Sequence, residues 1–203
     1  MGIVLFGCDK EDDDNKNDQD GEGAVTEITV KFENASDVSD ISKVKLIMPD
    51  YTATGGVIVA TADFKNGSCT LNLPETVDAK CLRPINGLWG NVTISNNNAN
   101  ISEGVDIIGF NSQDEMISYF YCEKNEGNVF SIVYYAYADS DVNVSGNAID
   151  NKDPNNVGVF SLFLKKGWNA VYEKITETTQ NGETSYHTEC TSSPIKGLKW
   201  VAD

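Results

Sequence analysis

The sequence predicts an all-β protein. From residue 24 onward, apolar residues recur at every second position through most segments, which is the period of a strand with one buried face. Turn-forming residues separate many of these segments at intervals of roughly 8–15 residues. No segment shows the 3.6-residue period of an amphipathic helix. Together these observations predict an antiparallel β-sandwich of about 10–12 strands, with an immunoglobulin-like or jelly-roll-like arrangement.

The first third of the chain shows the alternation most clearly. Ile28 and Val30 point to one face of the first segment, and the polar residues between them point to the other. The predicted strands in this part are 25–33, 43–48, 56–64 and 68–73. The pair Asn66-Gly67 separates the last two of these strands. Such a pair between apolar segments predicts a β-hairpin, because both residues accept positive φ.

Nine further strands follow along the chain, at 91–95, 104–110, 116–123, 128–138, 141–146, 157–165, 168–178, 184–190 and 197–201. The turns between neighbouring strands include Glu126-Gly127, Lys166-Gly167 and Asn181-Gly182. Segment 128–138 is apolar on both faces, which predicts a central strand that is covered on both sides. We expect a single domain over 24–203, and the alternative is two halves divided at Asn96-Asn97-Asn98.

The start of the chain indicates an exported protein. The apolar stretch Ile3-Val4-Leu5-Phe6-Gly7 leads to Cys8, and an acidic run follows directly. This order predicts that 1–8 is the remnant of a lipoprotein signal peptide and that Cys8 carries the lipid. Segment 9–23 has eight acidic residues and almost no apolar ones, so we expect a disordered acidic tether. The alternative is a disordered leader with a chance cysteine.

The charge of the chain argues against several partners. The formal net charge is −16, and Arg83 is the only arginine. Nucleic acid is disfavoured as a ligand because contacts of Lys and Arg with phosphate supply most of the non-specific affinity. No apolar run reaches the roughly 18 residues that predict a membrane-spanning helix. We therefore expect the lipid anchor to provide the contact with the membrane.

Three further motifs accompany the lipidation signal, namely Thr70-Leu71-Asn72-Leu73-Pro74-Glu75-Thr76, Leu164-Lys165-Lys166-Gly167-Trp168-Asn169 and Gly197-Leu198-Lys199-Trp200. Together with Leu5-Phe6-Gly7-Cys8 and its acidic run, they resemble the surface-exposed lipoproteins of Bacteroidetes, a group of uncharacterised function. In that group, an acidic patch after the cysteine marks display on the outer face of the outer membrane. The resemblance implies an extracellular β-sandwich, lipid-anchored in the outer membrane, and it supplies no catalytic residues.

The sequence predicts a non-enzymatic protein without catalytic residues. His187 is the only histidine, and no Gly-x-Ser-x-Gly motif accompanies it. It lies in an apparent strand, where a position on the sheet surface is the alternative to a catalytic base. A glycan hydrolase needs two carboxylates. Among the acidic residues only Asp106 has an apolar setting, and strand alternation points it to solvent together with Ile108.

No metal site or cofactor is predicted. A single histidine excludes a histidine-based zinc site, and the cysteines show no CxxC spacing. Calcium is possible at two places. Asp139, Asp141 and Asn143 match the opening of an EF-hand loop, with a turn entering a strand as the alternative. The loop 150–156 is a second acidic candidate.

Four cysteines lie in the predicted domain, at Cys69, Cys81, Cys122 and Cys190. An exported protein passes through an oxidising compartment, so disulfides are possible. Buried thiols are the alternative, because cysteine is among the most buried residue types. Cys69 shares its strand face with Leu71 and Leu73, which favours a core position.

Aromatic residues provide the candidates for ligand binding. Trp89 lies in a glycine-flanked loop, where a large ring can be exposed, and it is the candidate ligand-binding residue. Tyrosines and phenylalanines concentrate in 116–123 and 128–138, where we expect core packing, with stacking on sugar rings as the alternative. We predict a surface lipoprotein that binds an extracellular glycan or a host or envelope protein. The alternatives are an assembly subunit with an exposed edge strand, at 25–33 or 197–201, and a glycan hydrolase.

Overall fold

The computed structural model describes residues 24–86, 92–102, 104–149 and 156–203, which form an all-β fold. These ranges contain fifteen strands and two short 3₁₀-helices, Ala35–Val38 and Ala79–Cys81. The strands are β1 (Glu27–Lys31), β2 (Lys43–Pro49), β3 (Gly56–Asp63), β4 (Ser68–Asn72), β5 (Arg83–Pro84), β6 (Thr93–Ile94), β7 (Asn100–Ser102), β8 (Asp106–Phe110), β9 (Met116–Glu126), β10 (Val129–Ala138), β11 (Val142–Ile149), β12 (Val157–Leu164), β13 (Gly167–Gln180), β14 (Glu183–Thr191) and β15 (Lys199–Ala202).

The predicted fold class is confirmed. Every segment that the alternation predicts contains a strand, although 91–95 is reduced to β6. The strands β5 and β7 were not predicted, because two or three residues are too few to show a period. Twelve of the strands have four residues or more, which agrees with the predicted number.

The strands form two sheets among the described residues. β1 and β4 make a two-stranded antiparallel sheet, and the other thirteen strands belong to one large sheet. The main path of the large sheet runs β3-β2-β8-β9-β10-β13-β14-β12-β11-β6, while β15 pairs with β9 and β7 joins β5 to β10. The pair β12–β14 is parallel, and the other pairs are antiparallel.

The turn at Asn66-Gly67 forms as predicted, but the hairpin does not. Both residues have positive φ, 53° and 75°, and Lys65 and Ser68 exchange backbone hydrogen bonds of 3.0 and 3.1 Å across them. The strands on either side then separate, since β3 pairs with β2 and β4 pairs with β1. The turn therefore carries the chain from one sheet to the other. The predicted turn at Lys166-Gly167 also joins strands that do not pair, because β14 lies between β12 and β13.

Two hydrophobic cores lie on opposite faces of β10 and β13. The first core joins the two-stranded sheet to one face of β2, β8 and β9, and the second is enclosed by β7, β10, β11, β12 and β13. Tyr137 and Trp168 belong to the first core, whereas Ala136 and Val171 belong to the second. β10 is therefore central and covered on both faces toward its C-terminal end, as predicted.

Tyr137 and Trp168 also hold the segment that follows β4. Their rings form an edge-to-face pair with centroids 5.5 Å apart. The Trp168 indole N–H donates to the carbonyl of Pro74 at 2.9 Å, and the Tyr137 hydroxyl donates to the carbonyl of Glu75 at 3.0 Å. Each polar atom of the aromatic pair thus has a partner where it would otherwise lose its hydration.

Candidate functional site

The large sheet divides at β9. Cys122 pairs with Val133 of β10 and with Trp200 of β15, so β10 and β15 lie along opposite edges of β9. The backbone N–H of Asp203 donates to the carbonyl of Tyr119 at 3.1 Å, which extends β15 along its edge. β8 pairs with this same part of β9, so it must lie on the edge that β10 occupies. β8 and β10 therefore meet β9 one after the other along a single edge.

A small cleft opens where β8 and β10 diverge from β9. Its volume is about 100 Å³, and the residues that line it include Asp106, Tyr119, Tyr121, Ile132, Tyr134 and Trp200. A mainly apolar wall with few polar groups is typical of ligand sites, although these usually reach about 300–1,000 Å³. The cleft can thus hold one substituent of a ligand, with the remainder lying on the outer face of the sheet.

Tyr119 and Tyr121 stand side by side on this outer face. Side chains two residues apart on a strand share a face, and Phe120 between them points into the first core, where it is 3% exposed. The centroids of the two tyrosine rings are 6.4 Å apart, and the ring planes differ by 15°. Both tyrosines are half-buried. The aromatic residues of β9 are thus divided, with Phe120 in the core and the tyrosines accessible to a ligand.

Apolar side chains continue from the cleft across the outer face. Ile58 pairs with Ile47, which pairs in turn with Asp106 of β8. On the far side of β9, Val201 lies opposite Tyr121. Ile58 is 54% exposed and Val201 is 36% exposed. The carboxyl of Asp106 therefore lies within a largely apolar surface that solvent can reach.

Two carboxyl groups on this face have raised pKa values, Asp106 in the lining of the cleft and Glu123, two positions after Tyr121 on β9. Asp106 is an exposed residue, yet partial burial of its carboxyl raises the pKa. Burial also raises the pKa of Glu123, and the charge of Asp203 adds to this effect. Within the described ranges, neither carboxyl has an ion pair or a hydrogen bond from another side chain. Lys199 lies opposite Glu123, but its ammonium binds Glu33 at 2.9 Å.

A cluster of three polar side chains lies between β10, β13 and β14. The Tyr134 hydroxyl donates to the Cys190 thiol, and burial raises the pKa of Tyr134. Burial and the charge of Glu173 raise the pKa of Cys190 to about 12. Burial likewise raises the pKa of Glu173, which lies opposite both Ile132 and Cys190. Of these three residues, Tyr134 lines the cleft, while Glu173 and Cys190 lie opposite each other on β13 and β14.

The structure places the other predicted sites as follows. Cys8, the tether 9–23 and Trp89 lie outside the described residues. His187 is exposed on β14 and lies opposite Thr176 and Val157, which is the surface position that was the alternative to a catalytic base. Asp106 and Ile108 share the outer face as predicted, although Ile108 is buried there.

The carboxylates proposed for calcium serve the turn before β11. Asp139 accepts hydrogen bonds from the backbone and side chain of Asn100 at 2.9 and 2.8 Å, and Asp141 accepts one from the backbone of Lys166 at 2.8 Å. This is the alternative in which a turn enters a strand. The described part of the chain contains no group of three histidine, cysteine or acidic residues that could hold a metal ion. Most of the loop 150–156 lies outside that part.

The four cysteines of the domain are buried, and none forms a disulfide. Cys69 and Cys81 belong to the first core and Cys190 to the second. Cys122 is buried in β9. The structure thus shows the second of the two alternatives, buried thiols.

Sequence reasoning identified the aromatic strands but missed the cleft itself. The signal was present in the triplet Tyr119-Phe120-Tyr121, which alternation divides between two faces, and in Asp106 within an apolar strand. None of the helices among the described residues is long and apolar enough to cross a membrane. Comparisons of the chain with protein-family models, curated proteins and solved structures found no match.

Proposed function

We propose that this protein is a non-enzymatic surface lipoprotein of the outer membrane that captures an extracellular glycan at the cleft beside β9. The observation that carries the proposal is the tyrosine pair, Tyr119 and Tyr121, which lines the cleft together with Asp106. Glu123 follows two positions after Tyr121, on the same face of β9. An aromatic surface with a few fixed polar groups is the usual composition of a small-ligand site.

The chemistry of the cleft suits a sugar. The C–H groups on one face of a pyranose ring are apolar and pack on an aromatic ring. Its hydroxyl groups donate hydrogen bonds, and ionised carboxylates are acceptors only. Tyr119 and Tyr121 supply the rings, while Asp106 and Glu123 supply acceptors with no hydrogen-bond donor among the described side chains.

The pKa values favour binding over hydrolysis. A glycoside hydrolase uses one protonated and one ionised carboxyl group, so its two environments push the pKa values apart. The pKa values of Asp106 and Glu123 are both raised, and burial is the main cause in each case. No described cation holds either group in the ionised form. The pair therefore shows shifts in the same direction, without the opposed shifts that would mark one group as the acid and the other as the ionised carboxylate.

The lipid anchor completes the proposal. Lipid chains on Cys8 would hold the protein on the membrane, since each buried methylene contributes about 0.8 kcal/mol. The acidic segment 9–23 would then act as a tether between the anchor and the domain. Trp89 remains a second candidate contact with the ligand. Mass spectrometry of the native protein tests the anchor, and an unacylated Cys8 from a cytosolic fraction would overturn it.

A glycan array tests the binding function. We expect the wild-type protein to bind at least one glycan and Tyr121→Ala to lose about tenfold in affinity, equivalent to about 1.4 kcal/mol. Tyr186→Ala is the matched control, because Tyr186 is 42% exposed but lies on β14. Trp89→Ala tests the loop candidate in the same assay. Absence of binding to every glycan would refute the proposal.

A role as an assembly subunit is the second candidate. β15 occupies the predicted edge at 197–201, and within the described residues it pairs with β9 alone. An open strand edge can accept a strand from another chain. Light scattering of the purified protein distinguishes the two functions, because a subunit would form oligomers and a glycan receptor need not.

A further inference from the structure

We propose that the glycan carries free amino groups, and that the cleft holds one ammonium group beside Asp106 and the rings of Tyr119 and Tyr121, with the Glu123 carboxylate adjoining on the same face of β9. This inference rests on the proposed function and names the class of sugar. An ammonium site requires three features, namely negative charge without a counter-ion, a cleft of suitable size, and aromatic faces next to the cleft.

Within the described part of the chain, the carboxyl groups of Asp106 and Glu123 lack a cationic partner, although lysines lie nearby. Lys199 binds Glu33, and Lys124 binds Glu126 at 2.8 Å. Among the described residues, no lysine or arginine forms an ion pair with Asp106 or Glu123. An ammonium group of the ligand would supply the missing charge. A uronate or a sulfated sugar would be repelled, because its charge has the same sign as these carboxylates.

The size of the cleft agrees with this assignment. A volume of about 100 Å³ is a third or less of a typical small-ligand pocket. The space accommodates an amino substituent, while the sugar ring lies outside on the tyrosines. A neutral hydroxyl group would also fit, but it would leave the charge of the carboxylates uncompensated in a partly dehydrated site.

The same face of the sheet already binds one ammonium group in this way. The Lys45 ammonium lies 4.0 Å from the centre of the Phe110 ring and forms an ion pair with Asp114 at 2.6 Å. Lys45 pairs with Ile108, which pairs with Tyr119. A cation in this position is attracted both by the face of the aromatic ring and by the carboxylate. The cleft offers a ligand the same two components.

Binding should also depend on pH. Burial raises the pKa values of Asp106 and Glu123, so both groups take up protons at a higher pH than exposed carboxyls do. Loss of their charge would weaken the hold on an ammonium group as the pH falls through these raised values. The other titratable and charged groups near the site are Tyr119, Tyr121, Tyr134, Glu173, Lys199 and Asp203.

Calorimetry with four probes tests the inference on the full-length protein. The probes are a glucosamine hexasaccharide, its N-acetylated counterpart, a galacturonate hexasaccharide and a lysine tetrapeptide, at a pH where the amines are charged. We expect the glucosamine probe to bind at least tenfold more tightly than the N-acetylated one, and the galacturonate not to bind. Asp106→Asn and Glu123→Gln should each remove most of this preference.

Glu177→Gln is the control, because it changes the net charge by the same amount at an exposed position on β13. An equal loss in this variant would show only general attraction to an acidic protein, and it would overturn the inference. Equal binding of the two glucosamine probes would also overturn it, while glycan capture would stand. Failure of these glycans and of every glycan on the array would remove both proposals. Tighter binding of the lysine peptide would assign the site to a basic protein segment instead.

Discussion

Gly109 shows how closely the strands pack beneath the candidate site. A methyl group at this position would lie 2.7 Å from Cδ1 of Ile41 and 2.9 Å from Cζ of Phe120. Phe120 separates the two tyrosines along β9 and also packs on Phe32, with ring centroids 4.8 Å apart. The absence of a side chain at Gly109 therefore lets Phe120 fill the core while its neighbours face outward.

Gly109→Ala should lower the free energy of unfolding by about 1–3 kcal/mol, because an extra methyl group overpacks the core. Denaturant unfolding measures the change. Ile41→Val removes the atom nearest to the new methyl group, so the double variant should lose less than the sum of the two single variants. Strict additivity would show that the methyl group and Ile41 do not meet.

Glu173 has a stability cost at neutral pH. Burial raises the pKa of Glu173 above the usual 4.5, and no ion pair or hydrogen bond to its carboxyl occurs within the described ranges. The folded protein therefore binds this proton more readily than the unfolded chain does. Protonation of Glu173 therefore favours the folded protein at low pH, and this stabilisation is lost as the pH rises from 4.5 through the raised pKa.

Glu173→Gln should consequently raise the melting temperature at pH 7, and the difference from wild type should shrink toward pH 4. Glu177→Gln provides the comparison on the same strand, since Glu177 is exposed and should show little effect. Thermal melts at several pH values measure both variants. A Glu173→Gln protein that melts earlier than wild type at pH 7 would mean that the carboxylate has a stabilising partner.

At the scale of the elements, Tyr137 and Trp168 hold the segment after β4 against β10 and β13. Tyr137→Phe removes one hydrogen bond, to the Glu75 carbonyl, and keeps the ring in the core. We expect a loss of about 1 kcal/mol, the usual net value of such a bond. Trp168→Ala should cost about 3–5 kcal/mol, because it also leaves a cavity. Denaturant unfolding compares the two variants, and equal losses would contradict this assignment.

Strand positions could be predicted from the sequence because alternation and turn chemistry are local. The pairing partners of the strands could not be predicted in this way, as the turn at Asn66-Gly67 demonstrates. Its φ values are those that the residue types favour, but the pairing of β3 and β4 depends on how each strand buries its apolar face. Tertiary packing therefore decides whether a correctly predicted turn becomes a hairpin.

The sequence predicted which way the residues of the candidate site face, but not that they form a site. Alternation separates Phe120 from Tyr119 and Tyr121, and it points Asp106 to solvent, as observed. It cannot tell which face of β9 is covered, because this depends on strands that are distant along the chain. The cleft arises from the order in which β8 and β10 pair with β9, and no local pattern encodes that order.

At the scale of the whole molecule, stability comes from two hydrophobic cores without a disulfide among the described residues. Cys69, Cys81, Cys122 and Cys190 are all buried. Reaction of a thiol requires the thiolate and access to solvent. Burial raises the pKa values of Cys69 and Cys190 to about 12. These two thiols are therefore neither ionised at neutral pH nor accessible to solvent. Burial of this kind would protect Cys69 and Cys190 from oxidation in an oxidising compartment.

Alkylation of the native protein tests this arrangement. We expect iodoacetamide at pH 8 to leave the four cysteines of the domain largely unmodified, and to modify all four once guanidinium chloride has unfolded the chain. Peptide mapping reads each cysteine separately and keeps Cys8 apart from the others. Rapid modification of Cys69 or Cys190 in the native protein would show that the core opens around that residue. A peptide that links two of the four cysteines would show that oxidation has rearranged the cores, because no disulfide joins them in this fold.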